Sequence, residues 1–223
     1  MASQVRSPTK PLLRGVSHQV AFFVAVVATA WLVRGAPSGR AAAAALVFGT
    51  SLALLLGTSA LYHRVDWQPQ ARARMRRLDH AAIFILIAGG YTPLLWLVPS
   101  PDPGAGGGKG ALLAVWLGAA VGVVKSMVWS QSPKRVTAAI SLAVGWMVVG
   151  PVIDRAPAMS ALSVGCVVAS GVLYSLGAVV YAARRPDPVP RVFGYHEVFH
   201  ALVVLASACL FVHVTLVVRG AAR

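Results

Sequence analysis

The sequence predicts an all-α integral membrane protein, a bundle of seven transmembrane helices with a cytoplasmic N-terminus and the C-terminus outside. Three observations lead to this fold class. The composition is too apolar for a soluble domain, seven apolar stretches are long enough to cross a bilayer, and lysine and arginine concentrate in alternate loops.

The composition identifies the solvent of the protein as lipid. Of the 223 residues, 57% are hydrophobic, the mean hydropathy is +0.72, and 12% are charged, about half the usual share. The net charge of +14 would suggest nucleic acid in a soluble protein, but here it indicates basic cytoplasmic loops. Cys166 and Cys209 lie inside apolar runs and are interpreted as small hydrophobes. We therefore expect membrane lipids as partners and no nucleic acid.

Seven apolar stretches lie near the ~20 residues that a helix needs to cross a bilayer. The predicted spans are 16–34, 41–62, 78–99, 110–130, 136–153, 160–182 and 196–218. The breaks between them are, in order, GAPSGR, RVDWQPQARARMRR, PSPDPGAGGGK, SQSPKR, PVIDRAPA and RRPDPVPR. Pro93 need not interrupt the third span, because membrane helices tolerate proline. We expect a single seven-helix membrane domain over 16–218, between a cytoplasmic N-terminal tail (1–15) and a short C-terminal tail (219–223).

The positions of the basic residues predict the orientation. The N-terminal tail and the second, fourth and sixth loops carry 13 of the 20 lysines and arginines. The other loops and the C-terminal tail carry 6, and Lys125 lies inside the fourth span. Since cytoplasmic segments are the richer in positive charge, the N-terminus is inside, and an odd number of spans puts the C-terminus outside. The predicted location is the cell membrane (inner or plasma membrane), as a multi-pass protein.

Most of the ionisable side chains within the predicted spans fall at one depth. At the cytoplasmic ends lie His18 (first span), His63 (second), Asp79 and His80 (third), and His196 and His200 (seventh). Only His213 lies toward the outer end. Ionisable groups at membrane depth are costly and normally mark function, so the shared depth predicts a site there.

These residues have the pattern of a metal site. His196 and His200 are four residues apart and therefore share one helix face, and His63 can supply a third imidazole. Three imidazoles with an open position are a catalytic zinc arrangement, whereas hard cations would want more carboxylates. We therefore expect Zn²⁺ held by His63, His196 and His200. Asp79 could bind the metal as a fourth ligand, hold a water on the metal or orient a histidine. Ser59 lies one helical turn deeper in the membrane than His63, on the same helix face.

Each of these residues also has a simpler interpretation. An H-x-x-x-H spacing on a helix arises by chance, and Glu197 fits an acid that the helix dipole favours at a helix start. His213 is best explained as a polar anchor, His80 as an anchor or a partner behind the metal ligands, and His18 as a packing or hydrogen-bonding residue. The arginines from 72 to 77 are most simply a topology signal that contacts lipid head groups.

Three segments, SALYHRVDW (59–67), RRLDHAAIFILIAGGYTPLL (76–95) and FGYHEVFHALVVLAS (193–207), resemble the hemolysin III family. This is the bacterial branch of the progestin and adiponectin receptor (PAQR) superfamily, and the resemblance covers nearly the whole chain. It implies a seven-helix bundle with a zinc ion near the cytoplasmic face. The implied ligands are His63, His196 and His200, with Ser59 and Asp79 close to the zinc. The superfamily is similar to alkaline ceramidases, which are zinc amide hydrolases of membrane lipids.

The H-E-x-x-H sequence at 196–200 is also typical of zinc proteases. Those enzymes use the glutamate as general base and usually take their third ligand from later in the chain. Here the chain continues for about twenty residues without another carboxylate, and the candidates His63 and Asp79 lie far upstream. We therefore interpret Glu197 as filling a variable position within H-x-x-x-H.

Four functions are compatible with these residues. The first is a zinc-dependent, ceramidase-like hydrolase of lipid amide or ester bonds. In it, Asp79 would act as general base or hold the water, and Glu197 could take the place of Asp79. Ser59 would form a hydrogen bond to the substrate or to the metal-bound water. Its lipid-like substrate would lie in a cavity of the bundle. The others are a non-catalytic sensor or regulator with structural zinc, a cytolysin, as the family name suggests, and an intramembrane protease. An open coordination position and a cavity would favour the hydrolase. The sequence makes no prediction of the oligomeric state.

The orientation can be tested with a reporter that is active only outside the cytoplasm. Fused after Arg223, it should give a signal, because the split of lysine and arginine puts that end outside. The same reporter inserted after Asp187, in the sixth loop, should be silent. The reverse pattern would reject the topology and the cytoplasmic placement of the histidines.

Overall fold

The computed structural model describes residues 10–100 and 108–221, and the regular secondary structure within them is helical apart from an isolated β-bridge between Val189 and Phe193. The helices are α1 (Val16–Arg34), α2 (Gly39–Arg64), α3 (Pro69–Leu97), α4 (Lys109–Val128), α5 (Lys134–Trp146), α6 (Val149–Arg155), α7 (Ala161–Ala183) and α8 (Tyr195–Gly220). Seven spans are long and apolar enough to cross a membrane, the fifth combining α5, α6 and a 3₁₀ turn at Ala156–Ala158. The predicted fold class is confirmed, while the orientation of the termini stays a prediction.

The spans form a closed ring in chain order. Each span packs on the next, α5 packs on α7, and α8 closes the ring by contacting α1, α2 and α3 as well as α7. In α3, 67% of the apolar window is buried, whereas α1 and α4 bury 17% and 22%. Leucines and valines on the outer faces carry little cost, because lipid tails are as apolar as these side chains. The centre of the bundle is therefore built mainly from α2, α3 and α8.

Small residues let neighbouring helices approach closely. Gly122 of α4 faces the ring of the fully buried Phe84 of α3, and Gly49 of α2 faces the Thr29 side chain of α1. A Cβ atom at either glycine would overlap the side chain opposite. Such contacts are the usual basis of helix association in membranes, where burial of apolar surface alone gives no driving force.

Two helices differ from the predicted spans. α3 begins at Pro69, nine residues before the predicted start, so the arginine-rich stretch is its first turns and not a loop. Proline is favoured in the first turn because its missing N–H needs no partner there. The fifth span is interrupted after Trp146, since Pro151 cannot donate to the Met147 carbonyl four residues earlier. Pro93 leaves α3 continuous, as expected.

The segment before α1 packs on the loop that precedes α8. The amides of Leu12 and Leu13 donate to the carbonyls of Arg191 and Val192 at 3.1 and 3.2 Å. The predicted topology requires these two segments to lie on the same side of the membrane, and they do. The remainder of the predicted tails, 1–9 and 222–223, lies outside the described residues, as does 101–107 of the third loop.

Two basic side chains of the spans, Lys125 and Arg155, are held by hydrogen bonds. Lys125 Nζ donates to Ser132 Oγ at 2.6 Å and to Thr137 Oγ1 at 2.7 Å. The buried Arg155 donates to the carbonyls of Val98 and Pro151, both at 3.1 Å. These bonds offset the cost of charge at membrane depth.

Candidate metal centre

Three histidines meet inside the bundle near the start of α8. His63 lies in the last turn of α2, and His196 and His200 lie in the first two turns of α8. All three are buried, and one ligand atom from each lies within 4.8 Å of the others. The Nε2 atoms of His63 and His196 are 3.1 Å apart. Two nitrogens on a tetrahedral zinc ion, each bound at ~2.0–2.1 Å, would be about 3.3 Å apart. These buried histidines could therefore hold a metal ion.

The donor set fits zinc and leaves room for a further ligand. Imidazole nitrogens suit zinc and other borderline metals, whereas magnesium and calcium take oxygen ligands. Among the described residues, the group of close ligand atoms consists of these three histidines and includes no oxygen of Asp79. Three protein ligands around zinc correspond to an open site, in contrast to the four that close a structural site.

Ser59 and Asp79 lie beside the histidines. Both side chains line the cavity that His63, His196 and His200 also line. Ser59, one turn before His63 on α2, is 2% exposed and lies close to the Asp79 carboxyl group. The structure thus brings all of these predicted residues to one end of one cavity, with Asp79 next to the histidines but outside their immediate group.

His18 holds one of the histidines by stacking. Its ring lies parallel to the ring of His200, with centroids 3.8 Å apart and 7° between the planes. Within the described part of the chain neither nitrogen of His18 has a hydrogen-bond partner. Of the two expected roles, packing is therefore the one observed, and it fixes the plane of the His200 ring.

Glu197 faces away from the cavity. Its carboxylate accepts a hydrogen bond from Arg14 Nε and another, at 2.8 Å, from the backbone amide of Gly194 just before α8. It is not among the residues that line the cavity. These contacts favour the simpler interpretation, in which Glu197 caps the helix and anchors the segment before α1.

The other two histidines differ in position. His80 is buried and lines the same cavity, close to the site. His213 lies at the far end of the bundle, where its Nδ1 is 2.9 Å from Ser163 Oγ at the start of α7. That pairing is what a polar anchor requires, so His213 stands apart from the cluster, as the sequence indicated.

The cavity has a basic end and an apolar end. Its volume is about 640 Å³, in the range of ligand pockets. Lys134 and Arg76 line it near the histidines, and Val149 and Ile153 of α6 line the other end. From the sequence, the basic residues were interpreted as topology signals, and their position in the cavity wall was not predicted. The position of Tyr195 in the same wall was not predicted either. The position of Tyr195 beside His196 was the one available signal.

Comparison with known proteins identifies relatives over most of the chain. The family model described as "Haemolysin-III related" matches residues 6–211. A relative named "Hemolysin-3 homolog" from Bacillus subtilis (strain 168) is 26% identical over 203 residues, which cover 90% of each chain. "Hemolysin-3" from Bacillus cereus is 26% identical over 203 residues, covering 90% of this chain and 88% of the relative.

The metal ligands can be tested by elemental analysis. We expect purified protein to carry about one zinc per chain, and a variant with alanine at His63, His196 and His200 to carry none, because its nitrogen donors are gone. His213→Ala should keep the metal, since His213 lies at the opposite end of the bundle. Full zinc content in the triple variant would refute the assignment.

A second prediction concerns Gly15, which precedes α1 with φ of 79°. A Cβ atom there would lie 2.7 Å from the His63 Cβ, and the left-handed backbone costs a non-glycine residue ~1–2 kcal/mol. Gly15→Ala should therefore lower both thermal stability and zinc content. Gly39→Ala, at an exposed helix start with no neighbouring atom, is the control and should change neither. Unchanged zinc in Gly15→Ala would show that His63 does not depend on this approach.

Proposed function

This chain belongs to the haemolysin III family, and we propose that it is a zinc-dependent hydrolase of amide or ester bonds in membrane lipids. One observation carries the proposal. Three buried histidines meet at one end of a cavity of about 640 Å³ that also contains a carboxylate, a hydroxyl and a long apolar wall. This is the combination that hydrolysis of an acyl lipid needs.

In this proposal the histidines bind the metal, and Asp79 and Ser59 act on the water and the substrate. A zinc ion held by His63, His196 and His200 would supply Lewis acidity, polarising an acyl carbonyl and activating water. Asp79, which lines the same cavity as the histidines, would take the proton from the attacking water. Ser59, which lines the cavity close to Asp79, would orient that carboxyl group or bond to the substrate carbonyl.

The reaction balances with water as the only co-reactant. The water oxygen forms a bond to the acyl carbon, and the bond from that carbon to the amide nitrogen or ester oxygen breaks. The proton held by Asp79 passes to the departing amine or alcohol. The products are a fatty acid and the free head group, and no oxidant or reductant is needed.

The cavity accounts for a lipid substrate. An acyl chain would lie along the apolar wall toward Val149 and Ile153, while the bond to be cleaved remains beside His196. In the described residues the histidines and the charged side chains that line the cavity gather at one end of it, so the cavity does not resemble a charged path across the bundle. That distribution supports the hydrolase over a pore. Three histidine ligands leave one coordination position of zinc open, which supports the hydrolase over a closed structural site.

The sharpest test removes the charge of Asp79. Asp79→Asn keeps the size of the side chain but cannot accept the proton, so hydrolysis of an acyl-amide lipid should fall by about 10²-fold or more. Zinc content should stay near one per chain, because the carboxylate lies outside the histidine group. Asp154→Asn, an exposed acid that does not line the cavity, is the control and should leave hydrolysis unchanged.

Each other outcome has a distinct meaning. Equal hydrolysis by wild type and Asp79→Asn would remove Asp79 from the chemistry and make Glu197→Gln the next variant. Loss of zinc from Asp79→Asn would make Asp79 a ligand or a partner that holds one. A zinc-loaded wild type that cleaves neither amide nor ester lipids would refute the hydrolase in favour of a sensor with structural zinc.

A further inference from the structure

The histidine end of the cavity carries positive charge with little to neutralise it. Five cationic side chains line the cavity: Lys10, Arg14, Arg72, Arg76 and Lys134. Among the described residues that line it, Asp79 is the one acid. Arg14 is paired with Glu197, and Lys10 lies 3.6 Å from the exposed Asp66.

The remaining three cations have no acidic partner in the described ranges. Lys134 is the most tightly held of them. Its Nζ lies 4.7 Å from the ring centroid of Tyr181 and 4.6 Å from that of Tyr195, and it donates to the Tyr195 hydroxyl. Both rings are 6.0 Å from the His196 ring. Aromatic faces attract a cation without cancelling its charge. Lys134 therefore presents a fixed positive charge one ring away from the histidine cluster.

Arg72 repeats this arrangement on α3. Its guanidinium carbon lies 5.5 Å from the ring centroid of Tyr62, and the Tyr62 ring is 4.6 Å from the ring of His63. Arg76 is four residues further along α3 and thus on the same face. Two different helices therefore direct cations to the same end of the cavity.

A topology signal alone does not explain these positions. Arginines that serve only to orient the protein need to reach lipid head groups or water, as do the exposed Arg74 and Arg135, which do not line the cavity. Arg72, which is also exposed, and the half-buried Arg76 and Lys134 line the cavity. Cations that outnumber the acids of a cavity favour the binding of an anion.

We propose that the site takes acyl lipids whose head group carries a carboxylate or a phosphate, bound by Lys134, Arg72 and Arg76. The reaction rests on the proposed hydrolase function, but the binding does not. Charge-assisted hydrogen bonds would hold the anion, and the apolar walls of the cavity would strengthen them. The bond to be cleaved, next to this head group, then lies beside His63 and His196, while the acyl chain occupies the apolar end.

The test uses three palmitoyl amides that differ only at the head group. N-palmitoylglycine ends in a carboxylate, N-palmitoylethanolamine in a neutral hydroxyl, and the phosphate ester of the latter in a phosphate. Binding to the zinc-loaded full-length protein in nonionic detergent is measured by thermal stabilisation, and hydrolysis by release of palmitate. The wild type should bind at least one anionic amide about tenfold or more tightly than the neutral one. This preference should shrink as salt is added.

Matched variants assign the preference to individual cations. Lys134→Gln and Arg72→Gln should each reduce the preference for the anionic amide by about tenfold, with little change for the neutral amide. Their exposed neighbours provide the controls, and Arg135→Gln and Arg74→Gln should keep the full preference. If Lys134→Gln does not fold, Arg72→Gln alone tests the head-group proposal. Arg72 is more exposed than Lys134, so its replacement should disturb folding less.

The readouts separate this inference from the proposed function. Equal binding of all three amides by the wild type, or an anion preference that survives both Lys134→Gln and Arg72→Gln, would overturn the head-group proposal. Equal cleavage of anionic and neutral amides would also overturn the head-group proposal, but it would agree with the proposed hydrolase function. Selective binding of an anionic amide without cleavage of it or of the corresponding ester would support the head-group site and refute the hydrolase. A preference between carboxylate and phosphate identifies the anion, and either result supports the site.

Discussion

A bilayer cannot hydrate an ionisable side chain, and this constraint governs the interior of the protein. All six histidines are buried, and the basic Lys125 and Arg155 find their partners within the bundle. Since lipid offers no hydrogen bonds, a polar cluster can exist at this depth only where several helices enclose it. The cluster of His63, His196 and His200 meets that condition because α8 packs at once on α1, α2, α3 and α7.

The interrupted fifth span is explained by the same constraint. Non-helical backbone is tolerated at membrane depth only where it is buried or lines a cavity. Trp146 and Val149, which flank the interruption, both line the cavity, Val149 at its apolar end. Pro151 breaks the helix, and the break lies in the wall of the cavity where an acyl chain is proposed to lie. Close glycine contacts such as Gly122 against Phe84 keep the rest of the bundle dense around this opening.

Much of the fold and the main cluster could be predicted from the sequence, because both follow from where polar residues interrupt apolar runs. Hydropathy located the seven spans, and shared depth grouped His63 with His196 and His200. The start of α3 was predicted too late, because a charged segment that extends a helix beyond the lipid carries no hydropathy signal. The inward direction of Lys134 was also missed. Depth along a helix can be read from sequence, but the direction around the helix axis depends on neighbours such as Tyr181 and Tyr195.

The separation of the histidines along the chain has a consequence for biosynthesis. His63 and His196 are 133 residues apart, with α3 to α7 between them. While the ribosome is still producing these helices, α2 is already in the membrane with its histidine unmatched. The cluster comes into existence only when α8 inserts and closes the ring. An ion held there would thus mark a chain whose translation and insertion have passed the seventh span, and metal occupancy would distinguish completed molecules from nascent or truncated ones.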